Sequence, residues 1–482
     1  MSLNASTSVH PFSWALLLVL LSWLVLSLYS AFKPLPAGLN LNAPLRPVTE
    51  VSLLIDHSFV DSEGQQQHQQ QIADAMLALI RQARQLIVVD VFLFNDFAGK
   101  DSLRNLSAEL TEALLAARAA NPGMPIVLIT DPFNTLYGGI RAEHLERLEQ
   151  ADINLVITEL GALPASNPLW TGLWQGCCRY LGNQTEGGWL PNPVGPSKVT
   201  LRSYLHLLNF RANHRKTLFV DQGEDWTALV TSANPHDASS RHSNQAVVFS
   251  GAAALDLLRS EIAVMGFSAP VNIYGWPSTE ITERAEGPQG IQVLTEGAIR
   301  DSLLQMINSS QAGDKLDLEV FYLSHRPLIE ALIKARERGV TIRVLLDPNR
   351  DAFGREKNGV PNRQAAWDLH DAGIDVRWCA TQGEQCHRKW LRLDRADGLS
   401  ELLSGSANFT RRNLDNLNLE TNVRLVLASD HSLMQAARSQ FQRSWSNPEG
   451  QQHSLPYEDF ADNSRWRYGL YRFMEFTGIS TF

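Results

Sequence analysis

A short motif that occurs twice is the feature of this 482-residue chain that most constrains its fold. Each copy has a histidine, a lysine two positions later and an aspartate five positions after the lysine: His214, Lys216 and Asp221, and then His387, Lys389 and Asp394. A turn of small residues that ends in asparagine follows each copy, at 231–234 and at 405–408. The repeat predicts that one structural unit is present twice.

The residues after each lysine, at 217–220 and 390–393, are typical of a β-strand. Side chains two positions apart share one face of a strand, so the histidine and lysine of each copy point the same way. An imidazole beside an ammonium is a poor metal site but suits a phosphate, because the lysine attracts the anion and the histidine can attack phosphorus or transfer a proton. The arginine between them, Arg215 or Arg388, faces the other way, where we expect a salt bridge beneath the site.

Strands and helices alternate twice along the body of the chain. Apolar strands are predicted at 85–92, 125–132 and 153–157, and again at 315–321, 341–348 and 374–378. The predicted helices are 101–120 and 143–150, and then 328–338 and 364–372. Such alternation implies sheets covered by helices. We therefore predict the α/β class, with two similar α/β sandwich lobes at 51–268 and 290–448 that pack about a pseudo-twofold axis and bring both motif strands to one active-site interface.

Together the two motifs resemble the signature of the phospholipase D superfamily, H-x-K-x4-D with a downstream G-S/G-x-N. Thr231 departs from this pattern, because it replaces the first glycine of the first turn. The segment 416–423 also looks like bacterial cardiolipin synthases. The resemblance spans nearly everything after residue 50, and it implies a phosphohistidine intermediate with no metal and no other cofactor. The alternative, two surface strands with incidental basic residues, would leave the duplication to chance.

Roles for the motif residues follow from the resemblance. It implies that His214 is the nucleophile and that His387 is the general acid and then the base, although the reverse assignment stays open from sequence. Two lysines and two asparagines would hold the nonbridging oxygens and stabilise charge in the transition state: Lys216, Lys389, Asn234 and Asn408. Asp221 and Asp394 complete the motifs, but they lie far enough along their strands to favour a structural role.

A nucleophilic histidine must be oriented by a hydrogen bond at its other ring nitrogen. The superfamily often supplies a carboxylate in an N-x-E pattern after the asparagine turn, and the second half has it in Glu420. In the first half the residues 244–246 take the equivalent place without an acid. One histidine must therefore use another group, and the candidates are Asp237, Asp90 and Glu319.

The N-terminal segment differs from the rest of the chain. No charged residue occurs at 13–32, and about 20 apolar residues suffice to span a bilayer. A cleaved signal peptide usually begins with basic residues and has an apolar core of only about 7–15 residues. We therefore predict a retained transmembrane anchor at 13–32, followed by a proline-containing linker at 33–50.

Two features bear on which side of the membrane the body lies. Lys33 and Arg46 follow the span, which nominally places the body in the cytoplasm. The four cysteines occur as pairs before the two motifs: Cys177 with Cys178, and Cys379 with Cys386. They could form disulfides in an oxidising compartment, or they could be unrelated thiols. We expect a protein of a bacterial-type inner (cell) membrane. The side of the membrane on which the body lies is left open, and the cysteines favour the extracytoplasmic side.

Charge and aromatic residues indicate the substrate class. The net charge of -9 argues against a nucleic-acid partner. The long insertion before the first motif could form a lid or an acyl-chain wall, since it is rich in apolar residues: Trp170, Leu173, Trp174, Trp189 and Leu190. The tail at 449–482 interleaves aromatic residues with arginine, which suits either a membrane interface or docking on the body.

These features favour a phospholipid substrate and a bilayer partner. The leading hypothesis is a membrane-anchored phospholipase D-type phosphodiesterase or phosphatidyltransferase, whose acceptor is water or an alcohol such as phosphatidylglycerol. A nuclease is the alternative, because the segment 405–410 also looks like small nucleases of the superfamily. A third hypothesis, a non-catalytic scaffold, has to explain why both histidine motifs are complete.

Overall fold

A computed structural model describes residues 11–97, 102–192, 194–195, 197–352, 355–356, 358–480 and 482. Within these residues the α-helices are α1 (Pro11–Phe32), α2 (Ile72–Gln82), α3 (Leu106–Ala120), α4 (Glu143–Gln150), α5 (Pro168–Gly176), α6 (Leu201–Leu207), α7 (Ala252–Ser268), α8 (Gly297–Ser309), α9 (Arg326–Glu337), α10 (Asn362–Asp371), α11 (Arg411–Leu414), α12 (Ser432–Ser446) and α13 (Arg465–Thr477).

The β-strands fall into two series. The first comprises β1 (Val51–Ile55), β2 (His57–Asp61), β3 (Gln66–Gln69), β4 (Ile87–Val91), β5 (Ile126–Thr130), β6 (Asn154–Ile157), β7 (Leu190–Pro191), β8 (Lys198–Val199), β9 (Lys216–Gln222), β10 (Asp225–Thr231) and β11 (Gln245–Ser250). The second comprises β12 (Gly290–Thr295), β13 (Lys315–Val320), β14 (Thr341–Leu346), β15 (Asp351–Ala352), β16 (Arg355–Glu356), β17 (Asp375–Cys379), β18 (Lys389–Asp394), β19 (Leu399–Gly405), β20 (Thr421–Ala428), β21 (Gln451–Gln452) and β22 (Ser454–Pro456).

Two large mixed sheets repeat one topology. The first has the order β1-β11-β10-β9-β4-β5-β6, and the second has the order β12-β20-β19-β18-β13-β14-β17-β22. In the first sheet β9, which begins at Lys216, pairs antiparallel with β4, and β4 pairs parallel with β5. In the second sheet β18, which begins at Lys389, pairs antiparallel with β13, and β13 pairs parallel with β14. Lys216 lies opposite Val91, and Lys389 lies opposite Val320. The predicted α/β class and the internal duplication are therefore confirmed.

The sheets are apolar on both faces, because helices or the other sheet cover each of them. Residues of β9 alternate between two clusters: Phe219 packs into the cluster between the sheets, and Leu218 packs into the outer cluster with α2, α3 and α4. The cluster between the sheets also contains Trp390 from β18, together with residues of α7 and α12. An outer cluster with α8, α9 and α10 covers the second sheet. Both motif strands are thus central and buried.

Residues 33–50, for which the sequence predicts a linker, lie against the second sheet. The backbone N–H of Arg46 donates to the carbonyl of Ile291 at the edge strand β12, with an N–O distance of 2.8 Å. The guanidinium of Arg46 forms a buried ion pair with Asp256 of α7. These contacts give the sheet edge its backbone partners. The segment therefore follows a packed surface from the anchor to the body and is not a free tether.

Helix α1 is long and apolar enough to cross a membrane over Phe12–Phe32. Its C-terminal half packs against α5, which belongs to the insertion before the first motif. The indole N–H of Trp23 donates to the carbonyl of Leu169, at 2.9 Å. Ser27 packs so closely on Gly172 that an added Cβ there would lie 2.1 Å from the serine Oγ. The insertion therefore fixes the body to the end of the apolar helix.

Both cysteine pairs are joined, as Cys177–Cys178 and Cys379–Cys386. The second disulfide immediately precedes His387. The C-terminal tail docks on the body through α13: Tyr471 is fully buried, and its hydroxyl donates to the carbonyl of Ser324 at 3.1 Å.

Candidate active site

The two motif histidines are held by backbone bonds from the opposite lobe. The N–H of His214 donates to the carbonyl of Leu419 at 2.9 Å, and the N–H of His387 donates to the carbonyl of Ser243 at 2.8 Å. Each histidine lies two residues before its central strand, at the edge where the lobes meet. This arrangement repeats the same contact in both directions, so the two motifs enter one interface.

Each imidazole also receives its orienting group from the opposite lobe. Nδ1 of His214 lies 3.0 Å from Oε2 of Glu420, and Nδ1 of His387 lies 3.0 Å from Oδ1 of Asn244. An ionised carboxylate and an amide carbonyl can only accept, so both Nδ1 atoms carry the proton. Nε2 of each neutral ring then keeps its lone pair for attack or proton transfer.

The serines of the two small-residue turns support these orienting groups. The hydroxyl of Ser232 donates to Oδ1 of Asn244 at 2.9 Å, and the hydroxyl of Ser406 donates to the carboxylate of Glu420. Asn413 donates a further hydrogen bond to that carboxylate. The side chains that set the imidazole orientation are therefore fixed themselves.

The group that orients His387 is not one of the acids predicted from sequence. The carboxylate of Asp237 accepts from Ser107, that of Asp90 accepts from Asn213, and that of Glu319 accepts from Arg388. Asn244 instead corresponds to Glu420, because Asn244 immediately precedes β11 and Glu420 immediately precedes β20.

The length of one hairpin concealed this correspondence. The turn serine and the orienting residue are 12 positions apart in the first half and 14 apart in the second. Counting forward from the asparagine turn therefore misaligns the halves by two residues. Counting back from the next strand would have identified Asn244.

The two lysines are fully buried beside their histidines. Nζ of Lys216 donates to the carbonyl of His214, and Nζ of Lys389 donates to the carbonyl of His387, both at 2.7 Å. Burial lowers the pKa of Lys216 to about 7. The pKa of Lys389 is also lowered, first by burial and then by the charge of Lys216. Two neighbouring ammonium groups in a buried site favour a bound anion.

An aromatic ring accompanies each lysine in the same geometry. Nζ of Lys216 lies 5.1 Å from the ring centroid of Phe92, and Nζ of Lys389 lies 5.5 Å from that of Phe321. The same rings contact the histidines, at centroid distances of 4.9 Å from His214 and 5.1 Å from His387. These rings exclude water from the site and strengthen its electrostatic interactions.

The pKa values of both motif histidines are lowered by burial and by the other basic groups of the site. Burial lowers the pKa of His214 to about 4, and the carboxylate of Glu420 opposes this effect. The pKa of His387 is lowered by burial first and then by the charges of its neighbours, which include Lys389, Lys216 and His214. Groups of the two lobes therefore act on one another electrostatically.

The two turn asparagines, Asn234 and Asn408, are both buried. The backbone N–H of Leu93 donates to Oδ1 of Asn234 at 3.4 Å, and Oδ1 of Asn408 has no hydrogen-bond partner among the described residues. A cleft between α2 and α3 reaches Asn234 and Asn244. Its walls are mostly apolar and include Ile72, Met76, Leu77, Leu106 and Leu110.

The motif aspartates and arginines have partners away from the imidazoles. Asp221 accepts from the backbone N–H groups of 84–86, and Asp394 accepts from Ser400 and Arg438. Behind the site, Arg215 pairs with Glu296 at 2.7 Å and Arg388 pairs with Glu319 at 2.8 Å, as predicted. The contacts of both aspartates fix strand ends, which is the structural role that the sequence favours.

One cluster in the described part of the chain brings metal-ligand types together. Glu319, Cys379 and Cys386 have ligand atoms within 4.8 Å of one another. The two cysteines are joined in a disulfide and so lack the thiolates that bind a metal. The histidines are not part of this cluster.

The sequence model of the family described as "Cardiolipin synthase, PLD-like domain" matches residues 303–445, which contain the second motif, Asn408 and Glu420. That match supports an enzyme of the phosphodiesterase or phosphatidyltransferase type. No curated protein matches the chain.

Several solved structures match the chain at low sequence identity. Phosphatidylserine synthase from Haemophilus influenzae Rd KW20 is 12% identical with a TM-score of 0.57, over 91% of this chain and 95% of that one. Polyphosphate kinase from Porphyromonas gingivalis is 12% identical with a TM-score of 0.45, over 89% and 56%. Nuc from Salmonella typhimurium, a phospholipase D family member, is 20% identical with a TM-score of 0.27, over 34% and 97%.

Proposed function

We propose that the chain is a membrane-anchored phosphatidyltransferase or phospholipase of the phospholipase D superfamily, acting on phospholipids. One observation carries the proposal: two oriented imidazoles and two buried ammonium groups, contributed by separate lobes, meet at one interface. This site can bind one phosphodiester, supply a nucleophile and supply an acid.

The first step forms a covalent intermediate. Nε2 of His214 attacks phosphorus, the bond from phosphorus to the leaving oxygen breaks, and His387 gives its proton to that oxygen. Lys216 and Lys389, together with Asn234 and Asn408, stabilise the charge on the nonbridging oxygens. Because the phosphodiester is anionic, its binding raises the pKa of His387 and lets that ring carry the proton that it donates.

The second step reverses the roles. Water or an alcohol attacks phosphorus, His387 takes the acceptor's proton, and the bond between phosphorus and Nε2 of His214 breaks. With water the lipid product is phosphatidic acid, and with phosphatidylglycerol it is cardiolipin. We favour transfer to an alcohol, since the segment 303–445 matches the cardiolipin synthase-like family.

The unequal orienting groups support the assignment of the nucleophile. A phosphorylated imidazole is cationic, and the carboxylate of Glu420 stabilises that charge on His214. Asn244 is neutral and holds His387 without stabilising its imidazolium as strongly. His387 is therefore the better proton donor, and His214 is the better covalent carrier.

Three features of the described chain support a lipid substrate. Helix α1 is long and apolar enough to cross a bilayer, and it would hold the body at the bilayer surface. The cleft between α2 and α3 ends at Asn234 and Asn244 and has mostly apolar walls, which suit a lipid better than a nucleic acid next to the phosphate. The disulfides Cys177–Cys178 and Cys379–Cys386 support an extracytoplasmic position for the body, where such bonds persist.

The full chain, reconstituted with labelled phosphatidylglycerol, tests the proposal. We expect cardiolipin as the product, phosphatidic acid in competition with it, and a new labelled lipid when an alcohol such as ethanol is added. Both His214→Ala and His387→Ala should abolish turnover, whereas His370→Ala, on the exposed side of α10, should not. EDTA should leave turnover unchanged. Cleavage of DNA by a protein that leaves the lipid intact would overturn the proposal in favour of a nuclease.

A further inference from the structure

The C-terminal helix α13 is docked on one side and carries exposed aromatic residues on the other. Tyr471 is fully buried, but Trp466 is 79% exposed, Phe473 is 56% exposed and Phe476 is 85% exposed. Residues seven apart lie on one helix face, so Trp466 and Phe473 share the outward side, and Phe476 extends it by one turn. Single exposed apolar residues are ordinary, but three on one face of one helix form a patch.

The basic residues of α13 border this patch. Arg465 and Arg472 are exposed, and they too are seven residues apart. Arg467 is exposed on the same helix and pairs with Asp462. Helix α13 contains three arginines and one acid, Glu475, whose carboxylate accepts a hydrogen bond from the body, so the exposed side of the helix is basic although the whole chain has a net charge of -9. A helix with aromatic and basic exposed residues matches the composition of helices that lie in a membrane interface.

The end of α13 lies next to the end of the apolar helix α1. An added Cβ at Gly478, just after α13, would lie 1.8 Å from the carbonyl oxygen of Ser166. The residue before it, Ala165, donates its backbone N–H to the carbonyl of Ser30 in α1 at 2.7 Å. Two consecutive residues therefore connect α13 to the last turn of α1.

Helix α5 continues the exposed apolar surface beside α1. Leu169 is 52% exposed and Leu173 is 45% exposed, and both belong to the helix that packs on Trp23 and Ser27. Trp23 and Ser27 both lie within the apolar span Phe12–Phe32, so if α1 crosses a bilayer, the exposed residues of α5 lie beside the half of the span that is next to the body. The apolar surface thus runs from the membrane-spanning helix along α5 to α13.

We propose that α13 and α5 form a second membrane-contact surface, which lies in the interface of an anionic bilayer beside the anchor. The inference rests on the membrane anchor of the proposed function. The continuity of this surface with α1 selects a bilayer as the occupant, and the arginines select anionic headgroups. Aromatic residues enter the headgroup region, while Arg465 and Arg472 face lipid phosphates. The body is then held at two places and cannot rotate freely about the anchor.

Fluorescent labels on the full chain in phosphatidylglycerol nanodiscs test this surface without using catalysis. Phe473→Cys, or Phe476→Cys as a second position, carries an environment-sensitive label, and lipids with brominated acyl chains act as quenchers. We expect a blue-shifted emission and strong quenching at both positions. Asp397→Cys is the matched control, since it is exposed in the turn between β18 and β19, at the end of those strands away from the histidines, and its label should stay unquenched.

A label in the anchor separates the possible failures. Leu20→Cys should be quenched whenever α1 is in the bilayer. If that label is quenched but those at 473 and 476 behave like the one at 397, the second surface is wrong while the anchor stands. If none is quenched, the anchor of the proposed function fails, and the second surface fails with it. If the labels at 473 and 476 were covered by a second copy of the chain and were not quenched by lipid, the surface would be a protein interface. That result would also overturn the inference.

Discussion

The two halves of the site differ in the side-chain group that orients the histidine. His214 is oriented by the carboxylate of Glu420, and His387 is oriented by the amide of Asn244. The other groups around the two histidines are equivalent in the two halves, since each half contributes a lysine that is buried against an aromatic ring. A carboxylate stabilises an adjacent cation and an amide does so only weakly. The two histidines are therefore unequal although their backbones are related by pseudo-symmetry.

Glu420→Gln should lower kcat by about 100-fold, the order expected when a positioned catalytic group is impaired. The amide keeps the shape of the side chain but removes the charge that would stabilise the proposed phosphorylated form of His214. Turnover of labelled phosphatidylglycerol, with the melting temperature as a control for folding, measures this effect. Glu330→Gln, an exposed substitution on α9, serves as the matched control. An unchanged kcat in the Glu420 variant would contradict the assigned role of the carboxylate.

Asn244→Asp should change the pH dependence rather than abolish turnover. A carboxylate beside His387 favours the imidazolium, so its pKa should rise by about one unit or more. A general acid is active while protonated, and a higher pKa keeps it protonated to higher pH. The alkaline limb of the kcat profile should therefore move upward, as measured by turnover between pH 5 and pH 10. Asn244→Ala should lose turnover without that movement, and the same loss in both variants would disprove the proposed effect of charge.

The buried lysines predict how stability depends on pH before any substrate binds. The pKa of Lys216 is about 7 in the fold because of burial, well below its value in an unfolded chain. Above pH 7 the unfolded chain thus binds more protons than the folded one, and the free energy of unfolding should rise with pH towards about 10.

Melting temperatures at pH 7 and pH 9 measure this dependence. Lys216→Met should reduce the increase, because a methionine has no proton to release, while Lys315→Met, at an exposed position in β13, should keep it. Inorganic phosphate should raise the melting temperature of the unaltered protein, since an anion favours the charged lysines. An identical pH dependence in both variants would show that Lys216 does not carry it.

Helices and strands that have a clear local pattern of apolar residues could be predicted from the sequence. The apolar run at 85–92 becomes β4, and the helix predicted at 143–150 has the same bounds as α4. Patterns that depend on long-range contacts could not be predicted. Residues 33–50 read as a linker because their prolines suit one, whereas Arg46 pairs with an edge strand more than 240 residues away. The motifs identify the histidines, lysines and asparagines of the site. Asn244 could not be identified in this way, because its position depends on the length of the β10–β11 hairpin, which no motif encodes.

The contact between α1 and α5 depends on one glycine. An added Cβ at Gly172 would lie 2.1 Å from Oγ of Ser27, whereas one at Gly176 would lie 3.7 Å from Cδ1 of Leu26. Gly172→Ala should therefore loosen α5, and hydrogen–deuterium exchange over 168–176 should become faster while exchange in β9 stays unchanged. Gly176→Ala should have no such effect. Slow exchange of α5 in both variants would mean that the close contact at Gly172 does not hold the helices together.

At the scale of the whole molecule, two signals disagree about the side of the membrane. Basic residues after α1, Lys33 and Arg46, favour a cytoplasmic body. Arg46, however, forms a buried ion pair with Asp256, so a structural partner already accounts for its position. The disulfides on both lobes favour an oxidising compartment. We give the disulfides more weight, since two independent pairs would otherwise be reduced.

An extracytoplasmic body predicts opposite results from two C-terminal reporters in bacterial cells. Alkaline phosphatase needs disulfides to fold, so its fusion should be active, while a fusion to green fluorescent protein, which does not fluoresce after export through the general secretory channel, should be dark. Maleimide should label the cysteines of the full chain only after reduction. An inactive phosphatase fusion, a bright fluorescent one and cysteines that react without reduction would place the body in the cytoplasm. The proposed phosphodiester chemistry does not depend on the side of the membrane, but with a cytoplasmic body the proposed lipid substrate would come from the cytoplasmic leaflet.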